Sequence, residues 1–331
     1  MSIRLKPLIE QVIVITGASS GIGLATAKAA AKKGAKLVLA SRNEEGLREA
    51  EQEIKTAGGE AVYVVADVSN MEDVRQIAEK AMESYGGFDT WVNNAGVSIY
   101  GSLMEISNED HRKLFETNFW GVVYGSQVAA MHLKKRSGSI INLGSALSDY
   151  ALPMQGMYSA SKHAVKGFTD ALRQELEKEK TPISITLIKP ASINTPYTEH
   201  ARNYSSRENT LPPPVYAPEE VANAILYAAT HQKRDIFVGG AGKFMSTTNK
   251  YAPSLMDWMG KNMFIKQQFR EDAVSNRNGA LDEHQQGGKI HGDYKGYMVK
   301  KSLYTRASTR PWVTGTILAA GAGLIAYLSR R

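Results

Sequence analysis

Short runs of apolar residues alternate with amphipathic stretches over residues 10–240. The amphipathic stretches have the spacing of helices, whereas the runs are short, nearly continuous and rich in valine, isoleucine and leucine. Such runs are typical of parallel strands that helices cover on both faces. The pattern therefore predicts an α/β fold, a doubly wound parallel sheet of about seven strands with helices on both faces. The predicted strands are residues 11–16, 36–40, 61–65, 90–95, 139–144, 184–188 and 235–239.

The pattern changes after the last of these strands. Residues 241–310 are polar and basic, and their helical periodicity is weak. Residues 311–328 are apolar and carry no charge. We therefore predict three parts: an α/β domain over residues 1–242, a basic accessory extension over residues 243–310, and the apolar C-terminal segment.

The composition excludes several kinds of chemistry. The chain has 331 residues and no cysteine, so disulfides, thiolate catalysis and cysteine-ligated zinc sites are excluded. Its seven histidines are scattered singly, without the close pairs of a zinc-binding helix. We therefore expect no metal site. The hydrophobic fraction of 43% and the charged fraction of 22% are those of a globular chain.

The positive charge is concentrated in the C-terminal part of the chain. Of the net charge of +7, residues 1–242 carry −1 and residues 243–331 carry +8. A basic segment can bind nucleic acid or an anionic membrane surface. Here the charges are dispersed and lack the regular aromatic interleaving of a protein that binds single-stranded nucleic acid. We therefore predict no nucleic-acid partner.

The apolar segment 311–328 has the features of a membrane anchor. A helix of its 18 residues would span about 27 Å, close to the roughly 30 Å of a hydrocarbon core. Trp312 and Tyr327 stand near its ends and arginines flank it, as at membrane interfaces. We predict a single-pass C-terminal membrane anchor with the α/β domain in the cytoplasm. The alternative is a buried helix in a soluble cytoplasmic oligomer.

The first predicted strand leads into a glycine-rich turn, TGASSGIG, at residues 16–23. Glycine at the second, sixth and eighth positions of this motif permits a tight turn and the close approach of a pyrophosphate to the backbone. The helix that follows presents free N–H groups and a positive dipole end to that anion. This order of strand, glycine turn and helix predicts a dinucleotide-binding site.

The end of the second predicted strand bears on the choice between NAD and NADP. An acidic residue there binds the ribose 2′-hydroxyl of NAD, whereas a basic residue accommodates the 2′-phosphate of NADP. In this chain Ala40 and Ser41 stand where an acid is expected, and Arg42 follows. Glu44 and Glu45 better suit the first turn of the next helix. The sequence favours NADP; the alternative is an exposed arginine without a ligand.

Tyr158 and Lys162, in YSASKHAVKGF, are four residues apart in a stretch with helical periodicity. Residues at this spacing lie on one face of a helix. A cation about 4 Å from a phenol would lower the pKa of the phenol by up to roughly three units. The pair therefore predicts a tyrosine that exchanges protons near neutral pH. The alternative is a buried tyrosine beside a lysine that reaches to solvent.

Four motifs occur together and in order: TGASSGIG, NNAG at residues 93–96, Ser145, and YSASK at residues 158–162. Together they resemble the classical short-chain dehydrogenases/reductases, and the resemblance covers about residues 8–240. It implies a Rossmann-type fold, hydride transfer with a nicotinamide cofactor, a small carbonyl or alcohol substrate, and a homo-oligomer. With Arg42 after the second strand, the expected cofactor is NADP (NADPH).

The resemblance also implies roles for individual residues. Tyr158 would be the catalytic acid/base, Lys162 would lower its pKa and bind the nicotinamide ribose, and Ser145 would polarise the substrate oxygen. Asn118 would hold the water of a proton relay. The chain departs from the family at Ala191, where glycine is common. The implied cofactor-binding residues are Thr16, Gly17, Ser19, Ser20, Gly21, Ile22, Gly23, Ser41, Arg42, Asp67, Val68, Asn94, Ala95, Gly96, Tyr158, Lys162, Pro190, Ile193 and Thr195.

These residues predict an NADP-dependent oxidoreductase that interconverts a carbonyl and a primary or secondary alcohol by hydride transfer. Residues 192–216 would line the substrate pocket, and their tyrosines and prolines would form a partly apolar wall. A lipophilic substrate is therefore expected. The alternative is a non-catalytic NADP-sensing interaction protein on the same fold, whose function would not depend on Tyr158.

Overall fold

The computed structural model describes residues 3–274 and 276–309, and its centre is one parallel sheet of seven strands. The strand order is β7-β6-β5-β4-β1-β2-β3. Strands β2 and β3 lie on one side of β1 and strands β4 to β7 on the other, so the order of the strands switches sides between β1 and β4. Ligands of such sheets bind at this switch point. The predicted α/β sheet is confirmed. Its strands are β1 (Val12–Thr16), β2 (Lys36–Ser41), β3 (Glu60–Val65), β4 (Thr90–Asn93), β5 (Gly138–Leu143), β6 (Ile183–Pro190) and β7 (Asp235–Val238).

Helices cover both faces of this sheet. Alternate residues of β1 enter different apolar clusters, Ile13 and Ile15 in one and Val12 and Val14 in the other. Because both sides of the strand are buried, it reads as a continuous apolar run. The helices between strands are α1 (Gly21–Ala31), α2 (Glu44–Thr56), α3 (Met71–Tyr85), α4 (Asn108–Phe115), α5 (Gly121–Leu133), α6 (Gly156–Lys178) and α7 (Pro218–Ala228).

Local sequence signals explain where several of these helices begin. The side chains of Asn43 and Asn70 accept N–H bonds from the first turns of α2 and α3, as N-cap residues do. Helix α7 begins at Pro218 and carries two glutamates in its first turn, as its sequence predicts. Between α4 and α5 the chain forms a π-helical turn, Glu116–Trp120.

The chain after β7 packs back against the segment that was predicted to line the substrate pocket. The short strand Phe269–Ala273 pairs with Arg207–Asn209, and Met298–Val299 pairs with Val215–Tyr216. Its helices are α8 (Gly240–Tyr251), α9 (Pro253–Met259), α10 (Ile265–Gln267) and α11 (Leu303–Thr309). The remaining short elements are Leu8–Glu10, Ile99–Tyr100, Ala146–Ser148, Ser192–Ile193, Arg202–Asn203 and Gly260–Phe264.

The predicted membrane localisation was wrong for the part of the chain that the structure describes. Within residues 3–274 and 276–309, no helix is both long and apolar enough to cross a membrane. The segment 311–328, on which the anchor was predicted, lies outside the described residues. The single-pass anchor is therefore not carried into the function proposed below.

Candidate active site

In the glycine-rich turn after β1, a side chain in place of two of the glycines would collide with neighbouring backbone atoms. Gly17 has φ +65°, and a Cβ there would lie 2.8 Å from the Cα of Ala95. A Cβ on Gly23 would lie 2.1 Å from the carbonyl oxygen of Gly17. The turn therefore brings bare backbone to the N-terminus of α1, which is the arrangement that a dinucleotide pyrophosphate needs.

Side-chain hydrogen bonds hold this turn against the end of β4. The Thr16 hydroxyl accepts the N–H groups of Asn94 and Ala95 at 3.0 and 3.1 Å. The Asn94 amide in turn donates to the carbonyls of Thr16 and Gly17 at 2.9 and 3.1 Å. Both side chains had been predicted to contact the cofactor. In this structure they position the two loops that border the site.

Most of the residues predicted to bind the nucleotide meet in one cleft. The cleft encloses about 200 Å³ beside the carboxyl ends of β1 to β4. Thr16 and Gly23 do not line it, and Pro190 and Ile193 line a second, neighbouring cavity. The predicted residues that line the cleft are Gly17, Ser19, Ser20, Gly21, Ile22, Ser41, Arg42, Asp67, Val68, Asn94, Ala95, Gly96 and Thr195.

Arg42 lies in this cleft and already has partners. Its guanidinium donates to the carbonyl of Ala280, and to those of Leu281 and Asp282 at 3.5 Å each. It also forms an ion pair with Asp67 at 3.7 Å. Arg42 is therefore half-buried and paired within the chain, rather than exposed. The three carbonyls belong to the C-terminal extension, and the sequence does not predict their contact with Arg42.

Tyr158, Ser145 and Lys162 line a second cavity, which encloses about 210 Å³. The two cavities share the lining residues Asn94 and Thr195, among others, so the nucleotide cleft leads into the second cavity. Burial raises the pKa of Tyr158 to about 12, and its side-chain hydrogen bonds with Ser145 and Tyr197 oppose this rise. The three side chains that were predicted to be catalytic thus line one cavity with largely apolar walls.

The pKa of Tyr158 is raised rather than lowered in this arrangement, contrary to the expectation from sequence that Lys162 would lower it. Its side chain is only 4% exposed, and its ammonium donates to the carbonyl of Leu143 at 2.9 Å. The ammonium lies 5.6 Å from the centre of the Tyr158 ring. Burial lowers the pKa of Lys162 itself to about 8. Desolvation, which a sequence pattern does not report, disfavours the charged form of each group.

Asn118 lies in the π-helical turn and is fully buried. Its side-chain oxygen accepts the N–H of Val97 at 2.8 Å, and its amide nitrogen donates to the Val97 carbonyl at 3.0 Å and to Ser161 at 3.2 Å. The side chain lines neither cavity. Its contacts tie α6, which carries Tyr158, to the loop after β4.

The sequence did not indicate a chain of buried amides that lies behind Tyr158. The Tyr197 hydroxyl lies 2.8 Å from the side-chain oxygen of Gln155. The Gln155 nitrogen donates to Gln268 at 2.8 Å. Gln268 is fully buried and donates to the carbonyls of Pro153 and Phe264. Because both N–H groups of Gln268 are used, its oxygen must be the acceptor for Gln155.

This order of donors fixes what Tyr197 can offer. The Gln155 oxygen faces Tyr197 and can only accept a hydrogen bond, so the Tyr197 hydroxyl donates to it. A lone pair of Tyr197 then remains for Ser98, 2.7 Å away. No local signal could reveal this chain, since Gln155 and Gln268 are 113 positions apart.

The departure from the family at Ala191 has little structural effect. Among the described residues only Met154 and Lys180 have positive φ without being glycine, so Ala191 does not take a conformation that favours glycine. Its N–H donates to the Val238 carbonyl at 2.9 Å. Thr195 still lines both cavities.

Comparisons with known proteins find relatives that match most of the chain. The profile of the short chain dehydrogenase family matches residues 11–205. An uncharacterised oxidoreductase of Bacillus subtilis, YxnA, is 44% identical over 99% of this chain and 93% of its own. The 11-beta-hydroxysteroid dehydrogenase A of Sesamum indicum is 33% identical, over 77% of this chain and 76% of its own.

Two solved structures share the fold. A short chain dehydrogenase/reductase from Burkholderia phymatum in complex with NAD superposes with a TM-score of 0.69 at 29% identity, covering 76% of this chain and 97% of that chain. An alcohol dehydrogenase from Thermococcus sibiricus complexed with 5-hydroxy-NADP has a TM-score of 0.60 at 27% identity, covering 69% of this chain and 95% of that chain. One neighbour thus carries NAD and the other an NADP derivative.

Proposed function

Because the chain belongs to the short-chain dehydrogenase/reductase family of oxidoreductases, we propose that it interconverts a carbonyl and a primary or secondary alcohol with NADP. In this proposal Tyr158 is the acid/base. The supporting observation is the meeting of Ser145, Tyr158 and Lys162 in one cavity that is continuous with the nucleotide cleft. No observation favours the alternative of a non-catalytic sensor.

When bound, the nicotinamide supplies or accepts the hydride. In the direction of reduction, the Tyr158 hydroxyl donates its proton to the substrate oxygen as negative charge develops there. The Ser145 hydroxyl, beside Tyr158 in the same cavity, donates a hydrogen bond to that oxygen. The charged Lys162 stabilises the phenolate that forms on Tyr158, since the enclosed cavity weakens screening by water.

The substrate is proposed to be lipophilic. Leu147, Leu152, Met245 and Phe264 line the catalytic cavity together with the three prolines 212–214. Such apolar walls bind hydrocarbon surface, and the few hydroxyls fix its orientation. The relative from Sesamum indicum is named a hydroxysteroid dehydrogenase, which supports a bulky apolar alcohol or ketone for this chain too.

The proposed function is tested by following NADPH oxidation with ketones and aldehydes of graded chain length. We expect kcat/KM to rise with the apolar surface of the substrate, by roughly threefold to fourfold per buried methylene group until the cavity is full. No oxidation of NADPH with any carbonyl, although the nucleotide binds tightly, would contradict the enzymatic proposal and favour the sensor.

The proposed preference for NADP depends on Arg42. Replacing Arg42 with alanine is expected to raise the Kd of NADPH about 10- to 100-fold, because charge-assisted bonds to a phosphate are lost. The Kd of NADH should change little. Titration of nucleotide fluorescence measures both values, and Arg48→Ala, an exposed arginine on α2, is the matched control. An equal loss for both nucleotides would show that Arg42 does not read the 2′-phosphate.

A further inference from the structure

A segment of the C-terminal chain, residues 280–289, runs along the open side of the nucleotide cleft, and we call it the strap. Ala280, His284 and Gln285 of the strap form part of the cleft wall. Leu281 anchors one end, since it is buried in an apolar cluster with Val97 and neighbouring residues. The strap is therefore part of the nucleotide site, although it lies far outside the family motifs.

The strap is fitted closely to the glycine-rich turn and to the start of α2. A Cβ on Gly287 would lie 2.9 Å from the Cα of Gly46, so the two backbones touch. Gly288, with φ +81°, donates its N–H to the Ser19 carbonyl at 2.9 Å. The absence of side chains at these positions permits the contact.

The strap also occupies donors that border the nucleotide cleft, and two of them, on Gly21 and Arg42, belong to residues predicted to bind the nucleotide. The N–H of Gly21, at the N-terminus of α1, donates to the Lys289 carbonyl at 2.9 Å. The Asn43 amide donates to the Gln285 carbonyl at 2.7 Å. The guanidinium of Arg42 donates to the carbonyls of residues 280–282 at the other end of the strap. Backbone carbonyls thus bind the groups that would receive phosphates.

Asp282 holds the end of the strap that contacts Arg42. Its carboxylate pairs with Lys113 at 2.8 Å and with Arg202. Each of these cations has a second acid within reach, Glu109 at 2.6 Å from Lys113 and Asp110 at 2.6 Å from Arg202. Removing the charge of Asp282 would therefore weaken the strap without leaving either cation unpaired.

We propose that the strap determines nucleotide specificity, because its carbonyls at residues 280–282 and a nucleotide 2′-phosphate exclude each other from Arg42. The inference rests on the proposed function, in that it requires a dinucleotide in this cleft. A phosphate carries the charge opposite to that of the guanidinium and accepts two parallel hydrogen bonds from it, whereas a carbonyl oxygen is neutral and offers no such paired geometry. A 2′-phosphate therefore displaces the strap from Arg42, whereas a 2′-hydroxyl leaves it in place.

The two nucleotides consequently leave the strap in different states. NADPH releases the end at residues 280–282, and the energy needed for this release weakens its binding. NADH leaves that end attached to Arg42. The ratio of the two affinities then depends on how firmly the strap is held, as well as on Arg42 itself.

Hydrogen exchange of the wild-type chain tests the proposal directly. Peptides that cover residues 279–283, the end of the strap that contacts Arg42, are followed by mass spectrometry without nucleotide, with saturating NADPH and with saturating NADH. We expect NADPH to increase exchange in these peptides and NADH not to do so. Equal exchange with both nucleotides, or protection by NADPH, would overturn the proposal.

A variant of the strap provides the second test. Asp282→Asn is expected to lower the Kd of NADPH about twofold to fivefold, since a partly exposed ion pair is worth up to about 1 kcal/mol. The Kd of NADH should stay unchanged. Asp293→Asn is the control, because Asp293 lies in the same extension and pairs with Arg270. This variant should leave the Kd values of both NADPH and NADH unchanged. If neither nucleotide binds the wild type, the proposed function fails. If both bind and Asp282→Asn does not change their ratio, only the role of the strap fails.

Discussion

Replacing Tyr158 with phenylalanine is expected to slow carbonyl reduction by about 10²–10⁴-fold, the usual contribution of general acid catalysis. The variant keeps the ring and its packing, and loses only the hydroxyl that would protonate the substrate oxygen. Because the pKa of Tyr158 is raised to about 12 by burial, the residue holds its proton throughout the physiological range. It is therefore poised as an acid rather than as a base.

The measurement pairs steady-state NADPH oxidation with NADPH binding. Binding should remain close to wild type, since the glycine turn and Arg42 are untouched. Tyr227→Phe removes a phenol on α7, away from both cavities, and serves as the control that should retain turnover. Undiminished turnover in Tyr158→Phe would show that another group supplies the proton. A joint loss of turnover and nucleotide binding would assign Tyr158 a structural role instead.

The second large effect concerns the pH dependence conferred by Lys162. Burial lowers the pKa of this lysine to about 8, whereas Tyr158 stays protonated well above that pH. On raising the pH, Lys162 therefore loses its proton first, and with it the charge that stabilises the phenolate forming on Tyr158. We expect kcat/KM for reduction to fall as the pH rises through about 8.

Lys162→Met should remove this descending limb and lower the rate about 10²–10³-fold at neutral pH, as expected for the loss of an electrostatic contact in a dry site. A profile of kcat/KM from pH 6 to about 10 measures both effects. Lys166→Met, one helical turn further along α6, should keep the limb. A limb that persists in Lys162→Met would belong to a different group.

Stability provides an independent check on the same lysine. In the unfolded chain its pKa returns to the model-peptide value of 10.5, so between about pH 8 and 10.5 the unfolded state binds more protons than the native state. The free energy of unfolding must then rise with pH in this window. Urea unfolding should show this rise in the wild type and a smaller one in Lys162→Met.

The sequence by itself determined the features that depend on local spacing. Apolar runs that are buried on both sides become parallel strands, as β1 shows, because each run must bury both of its faces. The glycines of the first turn are required by contacts within a few residues and with the neighbouring β4 loop. The four-residue spacing of Tyr158 and Lys162 places both on the inner side of α6, where they line one cavity.

The tertiary structure decided what depends on burial and on distant parts of the chain. The pKa of Tyr158 is raised rather than lowered because burial removes water from its phenol. Arg42 is bound to carbonyls 238 to 240 positions further along the chain. The amide chain behind Tyr197 likewise joins Gln155 to Gln268 across the fold. Periodicity and motifs report only neighbours within a helix, strand or turn, so pairings of this range follow from the packing of the whole chain.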